Sequence, residues 1–188
     1  MIRTEHRPRL FSLSDQVSCT AIGLIGVEIK DPKTFLRQFE EKFPTLIIQA
    51  IDARFIAGFT HAQMIMQQSW ESSRRGLSYA RKRNLDLLLR LALSNQIAEA
   101  LTKVGLRKGT VDLAILAIGN PSEVKNLYEY SSKLGKISDK VILLSKRKDK
   151  FLRKLHDIST KASDSTTIGV GALAYLLAER AALLGAKL

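Results

Sequence analysis

The run Val111 to Ile118 (VDLAILAI) constrains the fold more than any other stretch of this chain. It is almost wholly apolar and has no period of two, so it cannot be an edge strand with one wet face. Such a run suits a strand covered on both sides. Two further stretches, Ser18 to Ile29 (SCTAIGLIGVEI) and Leu46 to Ile51 (LIIQAI), are strand candidates as well. A covered strand needs helices on both faces, and the helix signals are strong. Asp31-Pro32 and Asn120-Pro121-Ser122-Glu123 each place a capping side chain before a first-turn proline. They predict helices to about Lys42 and to Leu134, the second closed by Gly135.

Between these elements lie further helices. Thr60-His61-Ala62-Gln63 fits a capping box and predicts a helix from His61 to about Ser72. Asn84 is a plausible cap for a helix over Leu85 to Leu93. Asn95 to Val104 continues as another, closed by Gly105. Val141 to Leu144 reads as a last short strand and Lys146 to His156 as a basic helix. Residues 159–167 read as a polar loop, and a helix from about Ala172 to Ala186 closes the chain. That helix is apolar nearly all round, so it is buried, faces another protein, or does one on each side. With 188 residues, no repeat and no long linker, the chain reads as one domain over residues 18–188 behind a basic extension, 1–17. The expected class is α/β in the mixed α+β sense: a small mixed or antiparallel sheet flanked by helices.

Charge narrows the function. Thirty Lys and Arg face eighteen Asp and Glu, a formal charge of +12. That balance points to a polyanion, either nucleic acid or an anionic surface. Two segments hold most of the excess. Residues 74–90 carry Arg74, Arg75, Arg81, Lys82, Arg83 and Arg90 against Asp86. Residues 146–161 carry Lys146, Arg147, Lys148, Lys150, Arg153, Lys154 and Lys161 against Asp149 and Asp157. Concentrated cations neutralise phosphates and release counterions; the plain alternative is two solvated helix faces. In the first segment Trp70 and Arg74, and Arg75 and Tyr79, are four apart, so each pair could touch on a helix and offer a stacking surface for unpaired bases. Trp70 is equally well explained as a core residue.

Other classes find no support. Cys19 is the only cysteine, so an intrachain disulfide and a cysteine-based zinc site are excluded. The longest apolar run, Ile168 to Ala178, falls well short of the ~20 residues a membrane span needs. The N-terminus lacks the apolar core of a secretion signal, so a cytoplasmic protein is expected. Gly169-Val170-Gly171-Ala172-Leu173-Ala174 matches G-x-G-x-x-A but follows a polar loop rather than a strand. Ser145-Lys146-Arg147-Lys148 matches S-x-x-K without the companion motifs of that enzyme class. His6, His61 and His156 are scattered. Catalytic residues, a metal and a cofactor are therefore not expected, nor is a small-molecule substrate.

One ordered set of residues resembles a known family. Gln49-Ala50-Ile51-Asp52-Ala53, Gly58 and His61 precede Tyr79-Ala80 and Asp86-Leu87-Leu88-Leu89. Ser94-Asn95-Gln96-Ile97-Ala98-Glu99-Ala100 and Gly105 follow, and Leu176 to Leu184 resembles the family's closing helix. Their order is similar to the kinase-binding small subunit of the KEOPS complex (the PRPK-binding protein family), in its archaeal form, over roughly residues 20–188. Asp86 stands where that family usually has Glu, Ser69 to Ser78 is longer and more basic than expected, and residues 1–17 have no clear counterpart.

The resemblance implies a small α/β subunit without catalysis of its own. It would bind the small-lobe face of the complex's atypical kinase/ATPase and recruit tRNA by its single-stranded 3′ CCA end. Other subunits would then install threonylcarbamoyl on the adenosine beside the anticodon, a metal-bearing one doing the transfer. The expected phosphate contacts are Arg74, Arg75, Arg81, Lys82 and Arg83. Asn95 and Gln96 are expected at base or sugar edges, Gln96 having a helix-capping or interhelix hydrogen bond as its alternative. Tyr175, Leu176, Leu183 and Leu184 are the expected partner contacts. Two other readings remain: a protein–protein adaptor that regulates a kinase without touching RNA, and an enzyme acting on small molecules.

Overall fold

The chain is described by a computed structural model over residues 8–159 and 171–185. Its centre is β4 (Gly109–Gly119), which holds the covered run. It pairs antiparallel with β2 (Val17–Ile29) on one side and β3 (Ile47–Asp52) on the other. The sheet order is β1-β2-β4-β3, where β1 is Phe11–Ser14. A fifth short strand, β5 (Lys136–Ile137), pairs with β2 beside Leu24 and Ile25. Every pairing is antiparallel, so the expected mixed or antiparallel sheet is the antiparallel one.

Alternation along β4 feeds two cores. Leu113, Ile115 and Ala117 face one side, against Phe35, Phe39 and Phe43 of α1 (Pro32–Lys42) and its exit, and against Val124 and Leu127 of α5 (Pro121–Ser131). Ala114, Leu116 and Ile118 face the other, against α2 (Phe59–Arg74), α3 (Arg83–Ala92) and α4 (Ile97–Val104). Burying each large side chain contributes about 1.5–3 kcal/mol. Both faces therefore demand apolar residues, and that is why the run lacks polar alternation. A third cluster joins α6 (Lys146–Leu155) to α7 (Ala172–Ala182) through Leu152, Ile158, Leu173 and Leu177.

The proline caps form as expected. Asp31 accepts from the Thr34 N–H at 2.7 Å and Asn120 from the Ser122 N–H at 2.9 Å. Three other expectations are corrected. Thr60 caps nothing: α2 begins two residues earlier than expected, at Phe59 behind Gly58, whose φ of +100° only glycine adopts freely. Asn84 is not the cap of α3. The helix already starts at Arg83, and the Asn84 amide reaches Glu40 of α1 at 3.2 Å. Val141 to Leu144 is not a strand. A 3-10 turn over Asp139–Val141 packs so closely on β2 that a side chain at Gly23 would strike the Ser138 carbonyl and Val141. The last strand comes earlier, at Lys136.

Two boundaries move. The helix after Asn120 stops at Ser131 rather than Leu134, and the closing helix stops at Ala182, followed by a 3-10 turn over Leu183–Gly185. Inside the stretch expected to be an extension, Phe11–Ser14 joins the sheet. The Arg9 carbonyl there accepts from the Thr20 hydroxyl at 2.7 Å, and the Arg9 guanidinium pairs with Asp139 at 3.0 Å. His6, most of the polar loop at 159–167 including Lys161, Gly169-Val170 and Ala186 lie outside the described residues.

Candidate nucleic-acid and partner interface

The first basic segment divides on folding. Arg74 closes α2 and Arg75 caps it; both are exposed, and both lean on Glu71, at 3.2 and 3.7 Å. Gly76, at φ +69°, turns the chain away. Tyr79 therefore does not stay on the helix with Arg75. Its ring lies 4.7 Å beneath the guanidinium of Arg90 instead. Trp70 is half-buried against the α2–α3 core, and no cation–π contact joins it to Arg74 among the described residues. The two expected aromatic–arginine pairs thus do not form among the described residues: Arg74 leans on Glu71 rather than on Trp70, and α2 ends before Tyr79 could stack on Arg75.

Arg81, Lys82 and Arg83 sit at the entry to α3, exposed, with no ion pair to any described acid. Lys82 and Arg83 form one wall of a cleft of about 470 Å³ whose other wall is Phe43 to Ile48. Asn95 and Gln96 are also exposed, but they follow the far end of α3, about 15 Å away by the rise of a ten-residue helix. Gln96 is the N-cap residue of α4, yet its side chain makes no capping bond. Ser94 takes that duty, accepting from the Gln96 N–H at 3.1 Å while its hydroxyl donates to Glu99 at 2.7 Å. The Gln96 amide stays available for a ligand. The five expected cations therefore share one connection, and the two amides stand apart from it.

Arg90 does not belong to the surface at all. It is the largest fully buried side chain, 1% exposed. Its Nε donates to Asp86 at 2.8 Å, its other nitrogens to Ser72 and the Ala181 carbonyl at 2.7 and 3.4 Å. Asp86 accepts in addition from the Tyr79 N–H at 2.8 Å, and Gln68 donates to the Ala178 carbonyl at 2.8 Å. A single buried ion pair thus ties α2, α3, the basic connection and α7 together.

The second basic segment divides as well. Lys148 donates to the carbonyls of Val141, Ile142 and Leu143 at 3.0–3.1 Å, and burial pushes its ammonium down to about 8. Arg153 pairs with Asp149 at 2.7 Å. Ser145 caps α6 by accepting from the Lys148 N–H, so the S-x-x-K spacing is a helix start.

The closing helix shows one side to each environment. Ala174, Leu177, Ala178 and Ala181 face inward. Tyr175 and Leu183 face out, at 39% and 49% exposure, whereas Leu176 is half-buried against the third cluster and Leu184 is half-buried too. Two apolar residues that sequence reasoning passed over are as exposed as these: Ile97 and Leu101, four apart on one face of α4. Their spacing was the available signal.

The buried thiol and the two buried imidazoles are shifted from their ordinary values. Burial pushes the Cys19 thiol up to about 12, and it holds the imidazoles of His61 and His156 down to about 3 and about 4. No set of three metal-ligating side chains gathers among the described residues, and none of the described helices is long and apolar enough to cross a membrane.

The family model of kinase binding protein CGI-121 matches residues 27–174. The chain belongs to the CGI-121 family. The match runs from Val27, near the end of β2, to the first turn of α7, and so takes in β3, β4, α1 to α6 and the whole basic connection. No curated protein matches the chain. The family's description as kinase binding gives the exposed flank of α7 and the Ile97–Leu101 face of α4 a class of partner to be tested against.

Proposed function

We propose that this CGI-121 family member is a non-catalytic subunit of the KEOPS tRNA threonylcarbamoyladenosine-modification complex, acting in the cytoplasm. It docks on the complex's kinase/ATPase subunit and delivers tRNA by its 3′ CCA end. The observation that carries the RNA half is the trio Arg81, Lys82 and Arg83: three adjacent cations, exposed and in no ion pair with any described residue, at the mouth of a cleft. Cations held for stability are spent on carboxylates or carbonyls, as Arg90 and Lys148 are. Arg74 and Arg75 widen the same patch, and Asn95 and Gln96 supply amide groups for base or sugar edges beyond it. A single-stranded tail leaves both phosphates and base edges open to such a surface.

The partner half rests on the outward side of α7, with Tyr175 and Leu183 as the main contacts and Leu176 and Leu184 supporting them from the half-buried flank. The adaptor reading, in which the kinase is bound and RNA is not, is favoured by one observation: Glu71 already engages Arg74 and Arg75. Gel shift with bulk tRNA at physiological salt separates the two. A shift abolished in Arg81→Glu/Arg83→Glu, with thermal unfolding unchanged, supports RNA delivery; no shift with the unaltered protein leaves the adaptor. Co-purification of the kinase, abolished in Tyr175→Asp/Leu183→Asp, tests the partner surface.

A further inference from the structure

A second cavity, of about 570 Å³, opens where β3 ends, β4 begins and α6 starts. Neither the partner surface nor the α2–α3 cations reach it. Its centre is Arg54. Asp52 holds the guanidinium at 3.0 Å and also accepts from the Arg54 N–H at 2.9 Å. Behind the guanidinium lie two rings, Phe55 at 5.1 Å and Phe151 at 5.6 Å, themselves packed 5.6 Å apart. Half of the Arg54 side chain remains in solvent. The result is a fixed, planar, cationic plate backed by aromatics and facing an open space with apolar walls at Val111 and Val141.

The rim is basic. Lys140 and Arg147 line the cavity, are exposed, and have no ion pair with any described residue. Lys148 forms part of the floor. Two carboxylates also line it, and both are engaged: Asp52 by Arg54, Asp112 by the Gly26 N–H at 3.0 Å. Cations therefore exceed available anions. A simple oxyanion needs only the rim. A plate with apolar walls beside it suits a flat ring carrying the charge, because guanidinium planes stack on nucleobases.

We propose that this cavity binds one unpaired nucleotide, its base stacked on Arg54 and its phosphate held by Lys140 and Arg147. The volume falls within the range of small-ligand pockets. This inference extends the RNA reading to a second surface and rests on it for the source of the nucleotide, while a free nucleotide would meet the same chemistry.

The test is titration of the full chain with AMP, followed by amide NMR, with inorganic phosphate as the parallel probe. AMP is expected to move resonances of residues 52–55, 110–112 and 140–151. Arg54→Lys keeps the charge and removes the plane, and is expected to weaken AMP about fivefold, the low end for removal of one base stack. Lys140→Glu/Arg147→Glu is expected to abolish the shifts without altering thermal unfolding. No shifts in these segments, or AMP shifts that phosphate reproduces and Arg54→Lys leaves intact, overturn the proposal.

Competition identifies the source. Displacement of AMP by tRNA makes RNA the ligand. Binding of AMP that tRNA does not displace supports the site with a free nucleotide as its ligand. The first surface is separable from both: Arg81→Glu/Arg83→Glu is expected to weaken tRNA while AMP still binds, so failure of the RNA reading and failure of this cavity give different results.

Discussion

The two basic segments look alike in sequence and differ in the folded protein. Around α3, Arg90 leaves the surface for the core, and what remains outside is five exposed cations in and beside one connection. Around α6, Lys148 holds the end of a 3-10 turn and Arg153 pairs with Asp149, so the remaining cations are spread around a helix and along a cavity rim. Local charge counts treat these residues as equivalent. Burial and carbonyl geometry divide them into cations held inside the fold and cations left at the surface, and only the surface ones can meet a ligand.

The comparison is most vulnerable at Arg90. Arg90→Ala would leave Asp86 charged, buried and without its partner, at a cost of about 3–5 kcal/mol. Chemical denaturation measures this. Asp86→Leu/Arg90→Met should recover most of the loss, since apolar replacement of a buried pair is often close to neutral. A small effect of Arg90→Ala would place Arg90 back among the surface cations.

Acid should separate the two regions next. His61 and His156 are buried near Lys148, Lys103 and Arg180, and both imidazoles titrate far below the ordinary value of 6.5. The unfolded chain therefore takes up protons that the folded chain refuses. Stability is full above about pH 6.5 and falls as pH drops toward 4, by about 1.4 kcal/mol per unit for each group. His156 ends α6, so hydrogen exchange at pH 5 should rise in α6 more than in α3. Equal loss in both helices would contradict the division.

The smallest stability effects belong to the surface cations. Reversing Arg81 and Arg83 should change unfolding by less than about 0.5 kcal/mol, since neither is buried or in an ion pair with a described residue. Alanine at the same positions should lower the salt slope of tRNA binding by roughly 0.7 for each single-strand phosphate no longer neutralised. A slope that does not move would make the α2–α3 cluster a solubility device.

Much of this fold was legible residue by residue. The covered strand was, because two apolar faces leave no alternation to misread. Both proline-capped helices were, because the cap and the proline act within one turn. Thr60 and Val141 misled for opposite reasons. A capping box competes with other nearby starts, and Gly58 offered a better one. A short apolar run fits a strand or a 3-10 turn equally, and the missing side chain at Gly23, more than a hundred residues distant, chose the turn. Arg90 was not legible at all. Its burial depends on Asp86, Ser72, Tyr79 and the Ala181 carbonyl converging, and only the first of these sits at helical spacing. Family membership was legible from ordered motifs, whereas no sequence pattern announced the Arg54 plate.

One measurement bears most directly on the claim that this protein is a docking platform for a tRNA tail. Affinity for intact tRNA is compared with affinity for the same tRNA lacking its CCA end, at physiological salt. The predicted result is a clear drop for the trimmed molecule, mirrored by loss of intact-tRNA binding in Arg81→Glu/Arg83→Glu. Equal affinity for both would contradict it.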